Sequence, residues 1–167
     1  MGEHLVYTER VGGSSPSPPT IDKGCDMAKS KKKRVWSDKT ILQTLPNPSG
    51  DGYEINIKNP EVTFIGVKDQ PDFATVWLVI YPKDTIIELK SLKKYFQSFR
   101  NTLVSYERLI NVVYEDLMSV YEPHRLRIEM DFNPRGGLSS KLTIDSDWSI
   151  RGGNEEFKDW AGKDHRW

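Results

Sequence analysis

Four stretches of the chain have the residue pattern of β-strands. Residues 53–58 and 125–132 alternate apolar and polar positions, as a strand with one buried face does. Residues 73–81 are rich in aromatic and β-branched side chains, and residues 141–145 alternate again. The pattern therefore predicts two strands before residue 82 and two strands after residue 124.

Two amphipathic helices are predicted between these pairs of strands. The first covers about residues 88–100 and the second about residues 104–120, with Pro123 beyond its end. Their apolar faces consist of Leu89, Leu92, Phe96 and Phe99 in the first helix and Tyr106, Leu109, Ile110, Val113 and Leu117 in the second. The order ββααββ predicts an α+β fold, in which an antiparallel four-stranded sheet carries a helix pair on one face.

The chain is expected to hold one domain at residues 49–150. A disordered or loosely ordered extension (residues 1–48) precedes it, and a tail (residues 151–167) follows. A run rich in Gly, Ser and Pro near the start cannot form a core. Because Met27 and the basic run after it resemble a natural protein start, residues 1–26 are interpreted as a dispensable extension.

Charge and cysteine content narrow the classes of function. The 24 basic and 24 acidic residues balance, so the chain lacks the basic excess of a duplex-binding protein. The single cysteine, Cys25, cannot form an internal disulfide, which fits a reducing cytoplasm. No apolar run approaches 18 residues and no Cys/His cluster has zinc spacing, so neither a membrane span nor a metal site is predicted.

Four short motifs occur together in one known family. They are Gln-Pro-Asp-Phe-Ala-Thr (residues 70–75), Glu-Leu-Lys-Ser-Leu-Lys-Lys-Tyr-Phe (88–96), Ser-Phe-Arg-Asn (98–101) and Asn-Pro-Arg-Gly-Gly (133–137). Over about residues 50–148 the chain closely resembles the NADPH-dependent 7-cyano-7-deazaguanine reductases, the nitrile reductases of queuosine biosynthesis.

The resemblance implies a tunnelling fold (T-fold), whose subunits pair their open sheet edges to form a barrel. It implies a cytoplasmic homo-oligomer with active sites at subunit interfaces, with NADPH as the cofactor and without a metal. The reaction would be reduction of a nitrile in the pathway that modifies tRNA with queuosine. The partner is then a deazapurine or pterin-like small molecule, with no direct nucleic acid or membrane contact.

The resemblance assigns proton donation to Asp72 and substrate contacts to Glu107 and Tyr106. A carboxyl group in an apolar pocket can hold a proton for donation, although an aspartate after proline is also ordinary turn chemistry. A glutamate can accept two N–H bonds from the amidine edge of a deazaguanine, although the helix dipole alone also favours glutamate there. Tyr106 stands where the family has histidine, and it can donate, stack on a ring or serve as a core aromatic.

The resemblance also implies cofactor contacts by residues in two of the motifs. These residues are Glu88, Lys90, Ser91, Lys93, Arg135 and Gly136. Lysine and arginine offer positive charge to phosphates, and glycine allows close approach of a ligand. A solvated helix face is the alternative for the lysines, and Leu89 stands where the family usually has serine.

The loop before the Gln-Pro-Asp motif lacks the catalytic cysteine of the family, whose thiolate adds to the nitrile as a thioimide. Residues 63–70 contain no cysteine, and Ile65 or Gly66 falls where the sulfur would be. Three functions stay open: NADPH-dependent nitrile reduction, cofactor-free acid–base chemistry on a pterin or purine by Glu107, Tyr106 and a lysine, and a non-catalytic binding subunit.

Overall fold

The computed structural model describes residues 36–154, which contain two α-helices and six strands. The strands are β1 (Thr44–Pro46), β2 (Ile55–Ile65), β3 (Pro71–Tyr81), β4 (Thr85–Ile87), β5 (Arg125–Arg135) and β6 (Leu138–Asp145). The helices are α1 (Leu89–Ser98) and α2 (Tyr106–Tyr121), with short 3-10 helices at Lys39–Ile41, Phe99–Asn101 and Ser149–Arg151. The predicted dispensable segment (residues 1–26) and residues 155–167 of the predicted tail lie outside the described residues.

The four long strands form one antiparallel sheet in the order β2-β3-β5-β6, and β1 pairs with β4. Helix α1 contacts β2, and α2 contacts β5 and β6. The predicted order ββααββ and the antiparallel sheet with its helix pair are confirmed. Neither helix in this part of the chain has the length and apolarity needed to cross a membrane.

Both helices begin where a polar side chain caps the first turn. Glu88 accepts hydrogen bonds from the amides of Lys90 and Ser91 at the start of α1, and Ser105 accepts one from the amide of Arg108 at the start of α2. These caps satisfy amide groups that have no partner inside the helix. They therefore fix the two helix starts at which the candidate functional residues lie.

The apolar helix faces form the core against the sheet. The buried apolar residues are Leu92, Tyr95 and Phe96 in α1, and Leu109, Ile110, Val113, Tyr114, Leu117 and Tyr121 in α2. Burying each large aliphatic side chain contributes about 1.5–3 kcal/mol. The prediction for Leu89 is wrong, because this first residue of α1 is 61% exposed and Tyr95 fills the inward position instead.

The strands β2 and β5 continue past their predicted ends. Strand β2 passes Pro60 because a bulge between Asn59 and Val62 shifts its register against β3. Strands β5 and β6 are joined by Gly136 and Gly137, whose φ angles of 60° and 83° suit a tight hairpin. The unusual backbone angles predicted for these two glycines are confirmed.

Residues 36–48, which the sequence analysis places in the N-terminal extension, contribute to the fold. Strand β1 pairs with β4, and the carbonyl of Gln43 accepts hydrogen bonds from the amide of Glu88 and the hydroxyl of Tyr121, both at 3.1 Å. Leu42 is buried in the core. Three residues of strand are too few to show a period of two, so the pattern could not identify β1.

A network of buried charges occupies the sheet face opposite the helices. Arg127 donates to Glu129 at 3.0 Å and to Asp145 at 3.2 Å, while Arg125 donates to Asp145 and Lys141 pairs with Glu129. Burial raises the pKa of both carboxyl groups, but these hydrogen bonds and charges outweigh burial and hold each pKa below its ordinary value. The network therefore stabilises the fold only while both carboxylates are ionised.

Replacing Asp145 with Asn should lower the free energy of unfolding by about 3 kcal/mol, because the buried Arg127 and the partly buried Arg125 lose a charged partner. Urea unfolding measures this change. Asp84→Asn is the matched control, since Asp84 pairs with Lys83 on an exposed surface and its replacement should change stability by less than about 0.5 kcal/mol.

The same variant should be less sensitive to acid than the native chain. The pKa of Asp145 is depressed on folding, so its contribution is present above its unfolded pKa of about 4 and lost as the pH falls through the lower folded value. Equal losses of stability with acid in the native chain and in Asp145→Asn would contradict this assignment.

Candidate active site

A cavity of about 360 Å³ lies between the β2–β3 loop and the N-terminus of α2. Its polar lining residues are Lys68, Asp72, Ser105, Tyr106, Glu107 and Arg135. The fold thus brings together the three residues that the sequence assigned to proton donation and substrate contact. This volume falls within the range of small-molecule pockets and accommodates a single bicyclic base.

The two walls of the cavity are held together by backbone hydrogen bonds at Ile65, the last residue of β2. The amide of Ile65 donates to the carbonyl of Thr102 at 3.0 Å, and the carbonyl of Ile65 accepts from the amide of Val104 at 2.9 Å. This short parallel bridge attaches the segment before α2 to the end of β2. Ser105, Tyr106 and Glu107 are therefore fixed opposite the β2–β3 loop.

Tyr106 is oriented by a cluster of aromatic rings. Its ring stacks on Phe132 with a centroid distance of 4.0 Å and an interplanar angle of 8°, and Phe64 meets both rings edge-on. Burial raises the pKa of its hydroxyl, and the nearby negative charge of Asp72 raises it further. Tyr106 therefore stays protonated near neutral pH and can donate a hydrogen bond into the cavity.

Asp72 forms an ion pair with Arg135. The Nη1 atom of Arg135 donates to Oδ1 and Oδ2 of Asp72 at 3.1 and 2.9 Å, and Nη2 donates to the side-chain carbonyl of Gln70. The hairpin turn at Gly136 places Arg135 at the end of β5, beside the start of β3. The residue predicted to donate a proton is thus held by a guanidinium group in this structure.

Gly66 occupies the first position of the β2–β3 loop and is, with Ile65, one of the two positions where the family resemblance places the nucleophile. A Cβ atom at this position would overlap Oδ2 of Asp72 and would lie 2.9 Å from Nη1 of Arg135. Its amide already donates to the carbonyl of Gln70 at 2.7 Å. The carboxylate of Asp72 therefore fills the space that a side chain at residue 66 would need.

Glu107 lies in the first turn of α2 with an exposed side chain at the cavity wall. Among residues 36–154, no hydrogen bond or ion pair engages its carboxylate. Its two oxygens are free to accept a pair of parallel N–H bonds from a ligand. The helix dipole contributes about 0.3–1 kcal/mol in favour of a negative charge at this end of α2.

Of the predicted cofactor residues at the start of α1, two bind within the chain and two are exposed. Glu88 caps α1, and the backbone amides that it binds hold its pKa below the ordinary value. The hydroxyl of Ser91 is buried, donates to the carbonyl of Glu88 at 2.7 Å and accepts from the amide of Gln43 at 3.0 Å. In contrast, Lys90 and Lys93 are exposed.

Lys93 lies on two adjoining cavities along β2, of about 340 and 150 Å³, which share Asn59, Lys93 and Phe96. Lys58 lines the larger cavity and Arg100 the smaller one. The trough has three cationic side chains and one carboxylate, Glu61, so it keeps an excess of positive charge beside the apolar side chains of its larger part. This combination fits a ligand that carries both an aromatic base and phosphates. The residues present therefore suit the nicotinamide dinucleotide implied by the sequence.

The structure does not place Arg135 and Gly136 beside this trough. Arg135 lines the 360 Å³ cavity with Asp72, and Gly136 lies in the adjacent hairpin turn, whereas Lys93 lines the trough along β2. Within one chain, Arg135 therefore contacts the space proposed for the base. Sequence analysis missed this placement because the antiparallel pairing of β3 with β5 determines it.

Lys68 is a cavity residue to which the sequence analysis gave no role. It lies in the β2–β3 loop and lines the cavity with Asp72 and Arg135. No hydrogen bond or ion pair to Lys68 occurs within the part of the chain that the structure describes. The same residues, 36–154, contain no group of three or more His, Cys, Asp or Glu placed to bind a metal.

Comparisons with known proteins identify relatives of this chain. The sequence profile of the family described as QueF-like protein matches residues 71–151. The NADPH-dependent 7-cyano-7-deazaguanine reductase of Gloeobacter violaceus is 43% identical over 102 residues, covering 58% of this chain and 72% of that protein. The reductase of the same name from Nostoc sp. is 32% identical over 136 residues, covering 78% of this chain and 96% of that protein.

A solved structure shares the fold. The crystal structure of the archaeosine synthase QueF-Like in the apo form matches with a TM-score of 0.52 and 14% identity, covering 55% of this chain and 91% of that chain. At this level of identity the match concerns the fold alone. The predicted tunnelling fold is confirmed by this likeness.

Replacing Gly66 with Ala should displace the carboxylate of Asp72 from Arg135 and lower the free energy of unfolding by about 1–3 kcal/mol, the range for stranding a buried polar group. Chemical denaturation measures the change. Gly50→Ala is the matched control, because a Cβ atom there meets open space and should alter stability by less than about 0.5 kcal/mol. Equal free energies of unfolding in the two variants would show that the Asp72 carboxylate can move away from the Cβ position of residue 66 without destabilising the fold.

Proposed function

This chain belongs to the NADPH-dependent 7-cyano-7-deazaguanine reductase family, and we propose that it binds a 7-cyano-7-deazaguanine base in the 360 Å³ cavity and reduces the nitrile with NADPH. The observation that carries this proposal is the convergence of Asp72, Tyr106 and Glu107 on one cavity of suitable size. In such an enzyme the reduced base would enter queuosine modification of tRNA in the cytoplasm.

Each cavity residue has a distinct role in the proposed complex. The free carboxylate of Glu107 accepts the two N–H groups of the amidine edge, which orients the base. The protonated hydroxyl of Tyr106 donates to the base from the wall beside Phe132. Asp72 supplies a proton to the nitrogen of the reduced nitrile, which requires that the ligand displace Arg135 from at least one carboxylate oxygen.

The trough along β2 is the proposed cofactor site. Lys58, Lys93 and Arg100 offer positive charge to phosphates there. Glu88 and Ser91 hold the start of α1, and the exposed Lys90 of its first turn lies outside the lining of the trough. The trough and the base cavity share no lining residue within one chain, so the trough of one subunit would serve the cavity of a neighbouring subunit. Two NADPH molecules bound there in succession would each supply one hydride to the nitrile carbon.

A homo-oligomer with interfacial sites is part of the proposal. The outer edges of β2 and β6 bear no further strand in residues 36–154, apart from the bridge of Ile65 to Leu103. Unpaired edges of this length favour strand addition by another chain. Pairing of these edges between identical subunits would close the sheet into the barrel expected of the fold.

A second candidate function is reversible binding of a deazapurine or pterin without reduction. The observation in its favour is Gly66, which has no side chain to attack a nitrile and whose Cβ position is filled by Asp72. A bare nitrile lacks the activation that a thioimide supplies, so its reduction should be slow. Turnover separates the two functions, since only the first oxidises NADPH in the presence of the nitrile.

Replacing Glu107 with Gln should weaken binding of 7-cyano-7-deazaguanine by about 2–4 kcal/mol, because one acceptor becomes a donor that faces an N–H group of the ligand. Isothermal titration calorimetry measures the change. Glu115→Gln serves as the control, since Glu115 is an exposed residue of the same helix that does not line the cavity. Unchanged affinity in Glu107→Gln would remove Glu107 from the site.

The native chain should oxidise NADPH slowly with the nitrile and should form no covalent adduct with it. The physical reason is the lack of a thiol in residues 63–70. Intact mass spectrometry and the absorbance of NADPH measure the two quantities. Cys25→Ser, which removes the only thiol of the chain, is the control and should behave as the native protein does. A stable adduct mapped to Lys68 or Cys25 would contradict the expectation.

Light scattering should give a mass that is a multiple of the 19.2 kDa chain, because the open edges of β2 and β6 pair between subunits. A monomer mass that does not change with concentration would overturn the oligomer.

A further inference from the structure

We propose that Lys68 makes this cavity select the substituent at position 7 of the base, favouring groups that are anionic or accept hydrogen bonds and disfavouring an aminomethyl cation. The inference rests on the proposed function, since it assumes that Glu107 holds a deazaguanine base. It adds a specificity-determining residue and a rank order of ligands to that proposal.

The orientation of the base determines which wall meets its substituent. In a 7-deazaguanine the amidine edge belongs to the six-membered ring and position 7 to the five-membered ring, so the two lie at opposite ends of the molecule. Glu107 lines the wall formed by the start of α2, and Lys68 lies in the β2–β3 loop on the other wall. A base whose amidine edge is on Glu107 therefore directs its 7-substituent toward the wall that Lys68 shares with Asp72 and Arg135.

The wall at the β2–β3 loop has a net positive charge, because Asp72 and Arg135 neutralise each other and Lys68 remains. Both oxygens of Asp72 accept from Arg135, so these two charges oppose each other within the wall. The side chain of Gln70 is occupied by Arg135, and the amide of Gly66 is occupied by the carbonyl of Gln70. Lys68 has no such partner among the described residues, so its ammonium group is the unpaired positive charge on this wall.

This arrangement treats the possible substituents differently. A nitrile nitrogen or a carboxylate oxygen can accept a hydrogen bond from Lys68, and a carboxylate also gains Coulomb attraction. An aminomethyl group is protonated at neutral pH, cannot accept, and meets a like charge. The same wall that admits a nitrile would therefore promote dissociation of the amine formed by its reduction.

Calorimetry with four bases tests the rank order on the full native chain without cofactor. The bases are unsubstituted 7-deazaguanine and its 7-cyano, 7-carboxy and 7-aminomethyl derivatives. We expect the carboxy base to bind at least about tenfold more tightly than the aminomethyl base, the effect of one unit charge a few Å away on a partly exposed wall. The ratio should fall as salt is added, because exposed charges are screened.

Lys68→Gln should reduce the ratio of carboxy to aminomethyl affinity by about tenfold and leave the affinity of unsubstituted 7-deazaguanine within about twofold. Lys83→Gln is the matched control, because it removes the same charge from an exposed residue that pairs with Asp84 and lies outside the cavity. The control should retain the native ratio.

The outcomes separate this inference from the proposed function. Tight binding of the unsubstituted base combined with equal or tighter binding of the aminomethyl base would overturn the role of Lys68 and retain base binding. The same ratio of carboxy to aminomethyl affinity in Lys68→Gln and Lys83→Gln would also overturn the role of Lys68 and retain base binding. Failure of all four bases to bind would overturn both proposals.

Discussion

The two backbone hydrogen bonds at Ile65 are the constraint on which the candidate site depends. They attach the segment before α2 to the end of β2, and thereby place the first turn of that helix opposite the β2–β3 loop. Buried amide and carbonyl groups need partners, so the segment before α2 cannot lift away without leaving these groups unsatisfied. The stacking of Tyr106 on Phe132 fixes the same turn from the side of the sheet. A cavity built in this way is formed by the fold itself, before any ligand binds.

The chemistry of the cavity follows from a single small residue. At Gly66 the chain has no side chain, and the carboxylate of Asp72 with its partner Arg135 fills the available space. A nucleophile at residue 66 and this ion pair exclude each other sterically unless Asp72 moves. The small size of Gly66 therefore leaves the room in which Asp72 pairs with a cation. The donor role of Asp72 then depends on what a ligand does to that pair.

Much of the fold was predictable because long elements carry a clear period. The alternation in residues 125–132 and the spacing of Leu109, Val113 and Leu117 both correspond to buried faces in the structure. Elements of three residues, such as β1, carry no period and were missed. The gathering of Asp72, Tyr106 and Glu107 could be expected from the family resemblance alone. The position of Arg135 could not, because it depends on which strands are neighbours and on the register between β3 and β5.

Some residues of the family motifs stabilise the fold, and others are available to bind a ligand. Glu88 and Ser91 belong to the motif at residues 88–96. The side chain of Glu88 caps α1, and the hydroxyl of Ser91 binds the amide of Gln43, so the stability of the fold is enough to explain both residues. Glu107 has no such structural partner among the described residues, and neither does Lys93. Water alone can satisfy an exposed charged side chain, so the position of Glu107 and Lys93 on cavities is what favours a ligand there. The case for a bound base therefore rests on Glu107, and the case for a phosphate-bearing cofactor rests on Lys93 rather than on the whole motif.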